Sequence, residues 1–344
     1  AAVAAGSVAL TGDSFTPPLR QFTGGLSEPL LVALVLGAVW AALDERPGWV
    51  LGLGTAAALL RPEVWPFLAV WAFFATRERP GLRRAAVAVA VLVPVSWFVP
   101  DIVGAGNPLE GGETARAGGV EPLDGLRVLG RALAAPLVAA WLGLALLLWR
   151  QRGELDRPLA VLLAGAGAWV LLVALMAVAG FAGLPRFLAP ATAIVAIAGA
   201  IGIARAGAAD WRGLAAAVLV LAVAGVGWRV AQIPGDIDVV ERQTSSLEDL
   251  FDLVDETGSA PLLACGGSVR MTQVRPQTAL AWKLEEPISA VPVRRKPRYG
   301  VALSTKPLPS GSVLARAGRW RATALPCPSG YGETPSPADV ELSR

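Results

Sequence analysis

Apolar residues in this chain gather into runs separated by short polar connections. Six runs, at 27–43, 85–100, 132–149, 158–183, 187–204 and 213–231, come close to or exceed the roughly 17 to 20 residues a helix needs to cross a bilayer. Residues 1–10 read as the end of another. A seventh stretch, 49–76, is too long for one untilted span and too short for two, and "LLRPEVWPF" at 59–67 interrupts it. Pro62 and Pro66 cannot continue a helix without losing hydrogen bonds. The stretch is therefore a kinked span or a hairpin that enters and leaves on one face.

Arginine placement decides between these, because cytoplasmic loops carry the excess of positive charge. With a hairpin at 49–76, one face holds ten arginines in the short connections "DERPG", "TRERPGLRR", "RQRGELDRP" and "ARAGAADWR". The other face holds five, Arg20, Arg116, Arg127, Arg131 and Arg186, mostly in longer loops. A kinked span would turn the arginine-dense "RQRGELDRP" outward, against the bias. The pattern thus predicts a re-entrant hairpin. With arms of about 12 residues, or roughly 18 Å, its tip lies beyond the bilayer midplane.

The pattern changes after about residue 233. An amphipathic helix is predicted in "VVERQTSSLEDLFDLVDETG", with Leu247, Leu250, Phe251 and Val254 on one face. Short strand-like runs follow: "PLLAC", "AVPV", "YGVALS", "SVLARAG" and "RWRATAL". The expected organisation is a transmembrane helical domain over 1–232 and a small extracytoplasmic α/β domain over 233–344. The chain opens "AAVAAGSVAL", without Met or a charged leader, and reads as entering mid-helix.

Composition agrees with a membrane protein: 54% hydrophobic and 17% charged residues, against about 45–50% and about 25% in soluble domains. A formal charge of +3, with no basic block interleaved with aromatics, argues against a nucleic-acid partner. Histidine is absent, which excludes imidazole bases and Ser-His-Asp or Cys-His nucleophile systems. Two cysteines cannot build a structural zinc site by themselves. In an extracytoplasmic domain Cys265 and Cys327 could form a disulfide; the alternative is two separate buried thiols.

Four charged residues stand where membrane or dry core is expected. Arg61 and Glu63 sit at the hairpin tip, where an unpaired charge is costly and marks function by default; they line a site, or they pair with each other or with other helices and brace the hairpin. Arg186, between Pro185 and Pro190 in "GLPRFLAPA", is an anion ligand or snorkels to the headgroups. Glu28, between Ser27 and Pro29, faces a cavity or only suits the helix dipole. The long loop at 101–131, with Asp101, Glu110, Glu113, Arg116, Glu121 and Asp124, reads as mostly solvated, with the length of a lid. "VRRKPR" at 293–298 is a solvated surface or a contact with anionic lipids.

Over residues 1–231 the segments "GLSEPLLVAL", "GLGTAAALLRPEVWPFLAVW" and "GLPRFLAPATAIVAIAG" resemble the GT-C class of polytopic glycosyltransferases, the superfamily of protein mannosyltransferases and the lipid A aminoarabinose transferase, actinobacterial members most of all. The tail segments "LLACGGSVR", "ALAWKL" and "ARAGRWRATALPC" look like the external domain of such proteins. The resemblance implies sugar transfer from a polyprenyl-phosphate lipid to an acceptor at the outer face of the plasma membrane, sometimes with a divalent metal such as Mg or Mn. It implies that Arg186 contacts the donor phosphate and that Arg61 and Glu63 line the cavity floor. The catalytic acid of the class belongs to a loop expected upstream of residue 1. The rival expectation is a non-catalytic membrane protein, a lipid-linked-substrate transporter or an assembly subunit. A transporter would carry a second broken helix paired with the first, and the sequence shows no such counterpart.

Overall fold

The computed structural model describes residues 26–105, 107–109, 111–112, 116, 123–134, 136–150, 156–181, 183–208, 211–273, 276–294, 297–327 and 334–336. The chain forms two compact units that divide between Ile237 and Asp238. Residues 1–10, Arg20, Glu110, Glu113, Glu121, Arg152, Arg295 and Lys296 lie outside the described residues.

The first unit is helical. It contains α1 (Glu28–Leu43), α2 (Pro47–Leu60), α3 (Trp65–Glu78), α4 (Arg83–Ala105), α5 (Asp124–Ala134), α6 (Val138–Arg150), α7 (Arg157–Val178), α8 (Ala189–Gly207) and α9 (Arg212–Ala231). Among the described residues four helical segments are long and apolar enough to cross a membrane, or five if α5 and α6 count as one bent span, as in a multi-pass membrane protein. Two expectations are corrected. The run at 27–43 yields α1 of 16 residues, about 24 Å long and short of the ~30 Å hydrocarbon core. The run at 132–149 is not one helix, because Pro136 interrupts it and α5 meets α6 at 82°, so a second broken segment accompanies the one at 49–76, where the sequence showed no counterpart.

Between Trp49 and Ala75 the helix breaks at the first proline. Arg61, which precedes Pro62, takes an extended backbone, φ −147° and ψ 124°, because the proline ring disfavours the helical region one residue back. Pro62–Val64 make a 3-10 turn, and Pro66 stands in the first turn of α3, where a missing N–H costs nothing. The two arms fold back on each other, since the Leu68 side chain rests on Gly54. Fourteen residues of straight helix would separate those positions by about 21 Å.

The closest approach in this unit is between α6 and α8. A β-carbon on Gly143, Gly199 or Gly202 would run into backbone atoms of the facing helix. Small residues substitute backbone contact for side-chain interdigitation, the usual solution where lipid supplies no hydrophobic drive between helices.

The second unit continues from Asp238 within α10 (Ile233–Thr257), followed by α11 (Ser259–Leu263), β1 (Val269–Met271), α12 (Gln277–Lys283), β2 (Gly300–Ser304), β3 (Ser312–Ala317) and β4 (Trp320–Leu325). The sheet order is β1-β2-β4-β3. β1 and β2 run parallel, with Val269 opposite Val301, and α12 lies in the connection between them. β2 and β3 flank β4 antiparallel, with an irregularity between Val313 and Ala315. The amphipathic helix presents Leu250, Leu253 and Val254 to a core with Met271, Leu280, Val301, Leu303 and Trp320. The Trp320 indole donates to the Ser246 carbonyl at 2.6 Å. Three of the five strand-like runs are strands. "PLLAC" instead forms α11 and a turn, and "AVPV" contributes a single bridge, Met271 to Val293. β1 escapes notice in the sequence because three residues are too few to show alternation. Cys265 and Cys327 pair as a disulfide, with Cα atoms 5.4 Å apart.

Candidate functional site

Two proline-broken turns and one helix start build the site. Pro62 has no N–H, so the carbonyl of Ala58, four residues back, loses its helical donor. Two indoles replace it: Trp65 Nε1 at 3.0 Å and Trp97 Nε1, from α4, at 3.2 Å. A buried carbonyl left bare would cost roughly 1–3 kcal/mol. The tryptophans also meet edge to face, 6.3 Å between centroids. The turn carrying Arg61 is thereby fastened to the bundle.

The second turn is Pro185–Leu188. Trp169 of α7 donates to the Phe187 carbonyl at 2.7 Å and stacks on Phe67 of α3 at 5.3 Å, tying this turn to the hairpin. Trp169 lies nine residues before the end of α7, so the turn folds back alongside the interior of that helix. From α5, Arg131 donates to the carbonyl of Gly183, and Val128 packs where a β-carbon on Gly183 would stand.

These turns deliver two guanidiniums to one carboxylate. Glu28, in the first turn of α1, is fully buried. Its Oε1 accepts from Arg61 Nη2 and lies 3.4 Å from Arg186 Nε. Both arginines also stand against Phe187, with guanidinium carbons 4.7 Å and 5.4 Å from the ring centre. The Arg61 and Arg186 side chains are 20% and 30% exposed, against 0% for Glu28. The carboxylate therefore stands behind the arginines, whose other edges open outward. Among the described residues the buried atoms Glu28 Oε2, Arg61 Nε and Arg186 Nε have no hydrogen-bond partner, Arg186 Nε being the atom that faces Glu28 across the ion pair.

Three of the four residues singled out in the sequence meet here. The Arg61–Glu63 pairing considered above does not form: Arg61 bonds to Glu28, and the Glu63 carboxylate, 6% exposed, keeps Oε2 without a partner. Arg186 leans on Glu28, with its side chain 30% exposed. Phe187, Trp97 and Trp169 drew no attention in the sequence. The available signal was an indole donor within reach of a helix that proline must break.

An apolar cavity of about 510 Å³ lies beside these elements, lined by α1, α2, α3, α7 and α8 residues including Val39, Leu68, Trp71, Leu162 and Ile194. Glu28, Arg61, Glu63 and Arg186 do not line it. Val64 and Pro190, which do, flank the two turns that carry the charges. Among the described residues no three Asp, Glu or Cys side chains converge as metal ligands, and Glu28 is already committed to two cations. The cluster does not fit the Mg or Mn that the class resemblance implies. The stretch 101–131 is not one long loop, because α4 runs to Ala105 and α5 begins at Asp124; Asp101, at the end of α4, accepts from the Gly111 amide at 3.0 Å, and the Arg116 guanidinium carbon is 5.3 Å from the Phe181 ring centre.

No protein-family model, curated protein or solved structure matches this chain.

Proposed function

We propose that the chain is a GT-C-like membrane glycosyltransferase that moves a sugar from a polyprenyl-phosphate donor to an acceptor at the outer face of the membrane. The observation that carries this reading is the convergence of Arg61 and Arg186, both partly exposed, on buried Glu28, beside an apolar cavity. A cationic pair next to an apolar slot suits an amphiphile with a phosphate head and a hydrocarbon tail. The arginine bias of the loops supports an extracytoplasmic site and second unit, and the Cys265–Cys327 disulfide is in keeping with that compartment.

In the transfer, the bond from the anomeric carbon to the phosphate oxygen breaks and a bond to the acceptor oxygen forms. The electron pair leaves with the phosphate, whose added charge the two guanidiniums stabilise in a partly dry setting. The acceptor proton passes to a carboxylate base, for which no described residue is assigned.

The test is transfer of labelled sugar from a polyprenyl-phosphate donor by the full-length protein, wild type against Arg186→Ala. A fall of at least about 100-fold is expected, the scale for removing one preorganised donor to a developing anion. Equal rates in the two proteins would overturn the assignment.

A further inference from the structure

The charge of the anion site is set by a residue that need not touch the anion. Arg61 and Arg186 bring two positive charges, and Glu28 removes one from behind. The triad therefore carries a net +1 where the dielectric is low. Glu63 makes no ion pair with either arginine among the described residues and is left out of the triad; counting its buried carboxylate would bring the sum to zero, which disfavours the second charge of a diphosphate further still. Both guanidiniums also rest on Phe187, so Glu28 is not their sole support. Among the described residues its buried Oε2 has no hydrogen-bond partner, and a buried acceptor left bare carries a desolvation cost.

We infer that Glu28 is a specificity-determining residue that matches the site to a singly charged phosphodiester and against a diphosphate. This rests on the lipid-phosphate reading above. A phosphodiester headgroup neutralises the triad. A diphosphate leaves uncompensated negative charge in the same place, and at an effective dielectric near 20 one unit charge several ångströms away changes affinity by tenfold or more, order of magnitude. Glu28 also holds one N–H of each guanidinium, at Arg61 Nη2 and Arg186 Nε, while Phe187 covers a face, which restricts how each arginine is presented.

The experiment compares two probes on the purified full-length protein in nanodiscs: a polyprenyl methyl phosphate, with one charge, and the matching polyprenyl diphosphate. Wild type should bind the methyl ester more tightly by about tenfold or more. Glu28→Gln should shift that ratio toward the diphosphate by about the same factor, and Glu28→Asp should restore the wild-type ratio. A Glu28→Gln protein that loses affinity for both probes equally, or for neither, overturns the inference, because a mere brace has no charge preference. Wild type preferring the diphosphate overturns it without any variant, so a failure of Glu28→Gln to fold does not protect it. If wild type binds neither probe, the lipid-phosphate reading falls as well, and this inference with it.

Discussion

The two units are built to opposite plans. In the first, the interior between α6 and α8 is backbone against backbone at Gly143, Gly199 and Gly202, while Trp40, Val70, Phe73, Leu171 and Val220 face outward. In the second, Leu250, Leu253, Met271 and Trp320 fill the interior, and the charges of α10 lie on its exposed face. One ion pair from each unit shows the contrast, although the first unit also carries surface pairs such as Arg205–Asp156. Glu28 is fully buried with its arginines, whereas Lys283 meets Asp255 at a surface where the Asp255 side chain is 61% exposed. The first unit tolerates outward hydrocarbon and buries the carboxylates of Glu28, Glu63 and Asp236; among the described residues of the second no charged side chain is buried. That is the difference between lipid and water as the surrounding solvent.

The contrast is most exposed to failure at the glycines. Gly202→Leu forces a side chain into the backbone of α6 and should cost more than about 3 kcal/mol, seen as loss of folded protein in detergent. Gly227, which has open space around it, should accept Leu with little change. If Gly202→Leu is as stable as Gly227→Leu, the helices do not approach through backbone.

The disulfide comes next in size. It spans 62 residues, and removing it by replacing both cysteines with Ser should destabilise the second unit by about 4 kcal/mol on the loop-entropy scale. Chemical unfolding followed by Trp320 fluorescence reads this, and no shift would mean that the large-side-chain core alone sustains the sheet. The smallest effect belongs to Lys283→Ala, under about 1 kcal/mol because its pair is screened by water. A loss of several kcal/mol there, in the same unfolding assay, would erase the distinction between the surface pair and the buried one.

Much of the first unit was legible in advance because a membrane span is a local property. Apolar runs and prolines state it within some twenty residues, and the break at "LLRPEVWPF" follows from Pro62 acting on Arg61. The run at 132–149 misled because Pro136 is hidden among apolar residues that look continuous to hydropathy. In the tail, "PLLAC" is apolar and short, a pattern that fits strand and helix alike; Pro261, acceptable in a helix's first turn, left the question to packing. Among the site residues, the charges out of place were visible as such, but their pairing was not. Glu63 is two residues from Arg61, yet Arg61 chooses Glu28, 33 residues away.

The sequence by itself determined that the chain enters a membrane, where its helix breaks, that imidazole chemistry is absent, and that a different, water-facing kind of unit follows. Each of these depends on residues close together in the chain. The tertiary structure alone decided that two arginines from separate turns share Glu28 and Phe187, and that two indoles stand in for the donor Pro62 lacks. The reason is physical: a buried charge or a bare carbonyl takes whichever partner the packing of helices brings within about 3 Å, and that distance is not written along the chain.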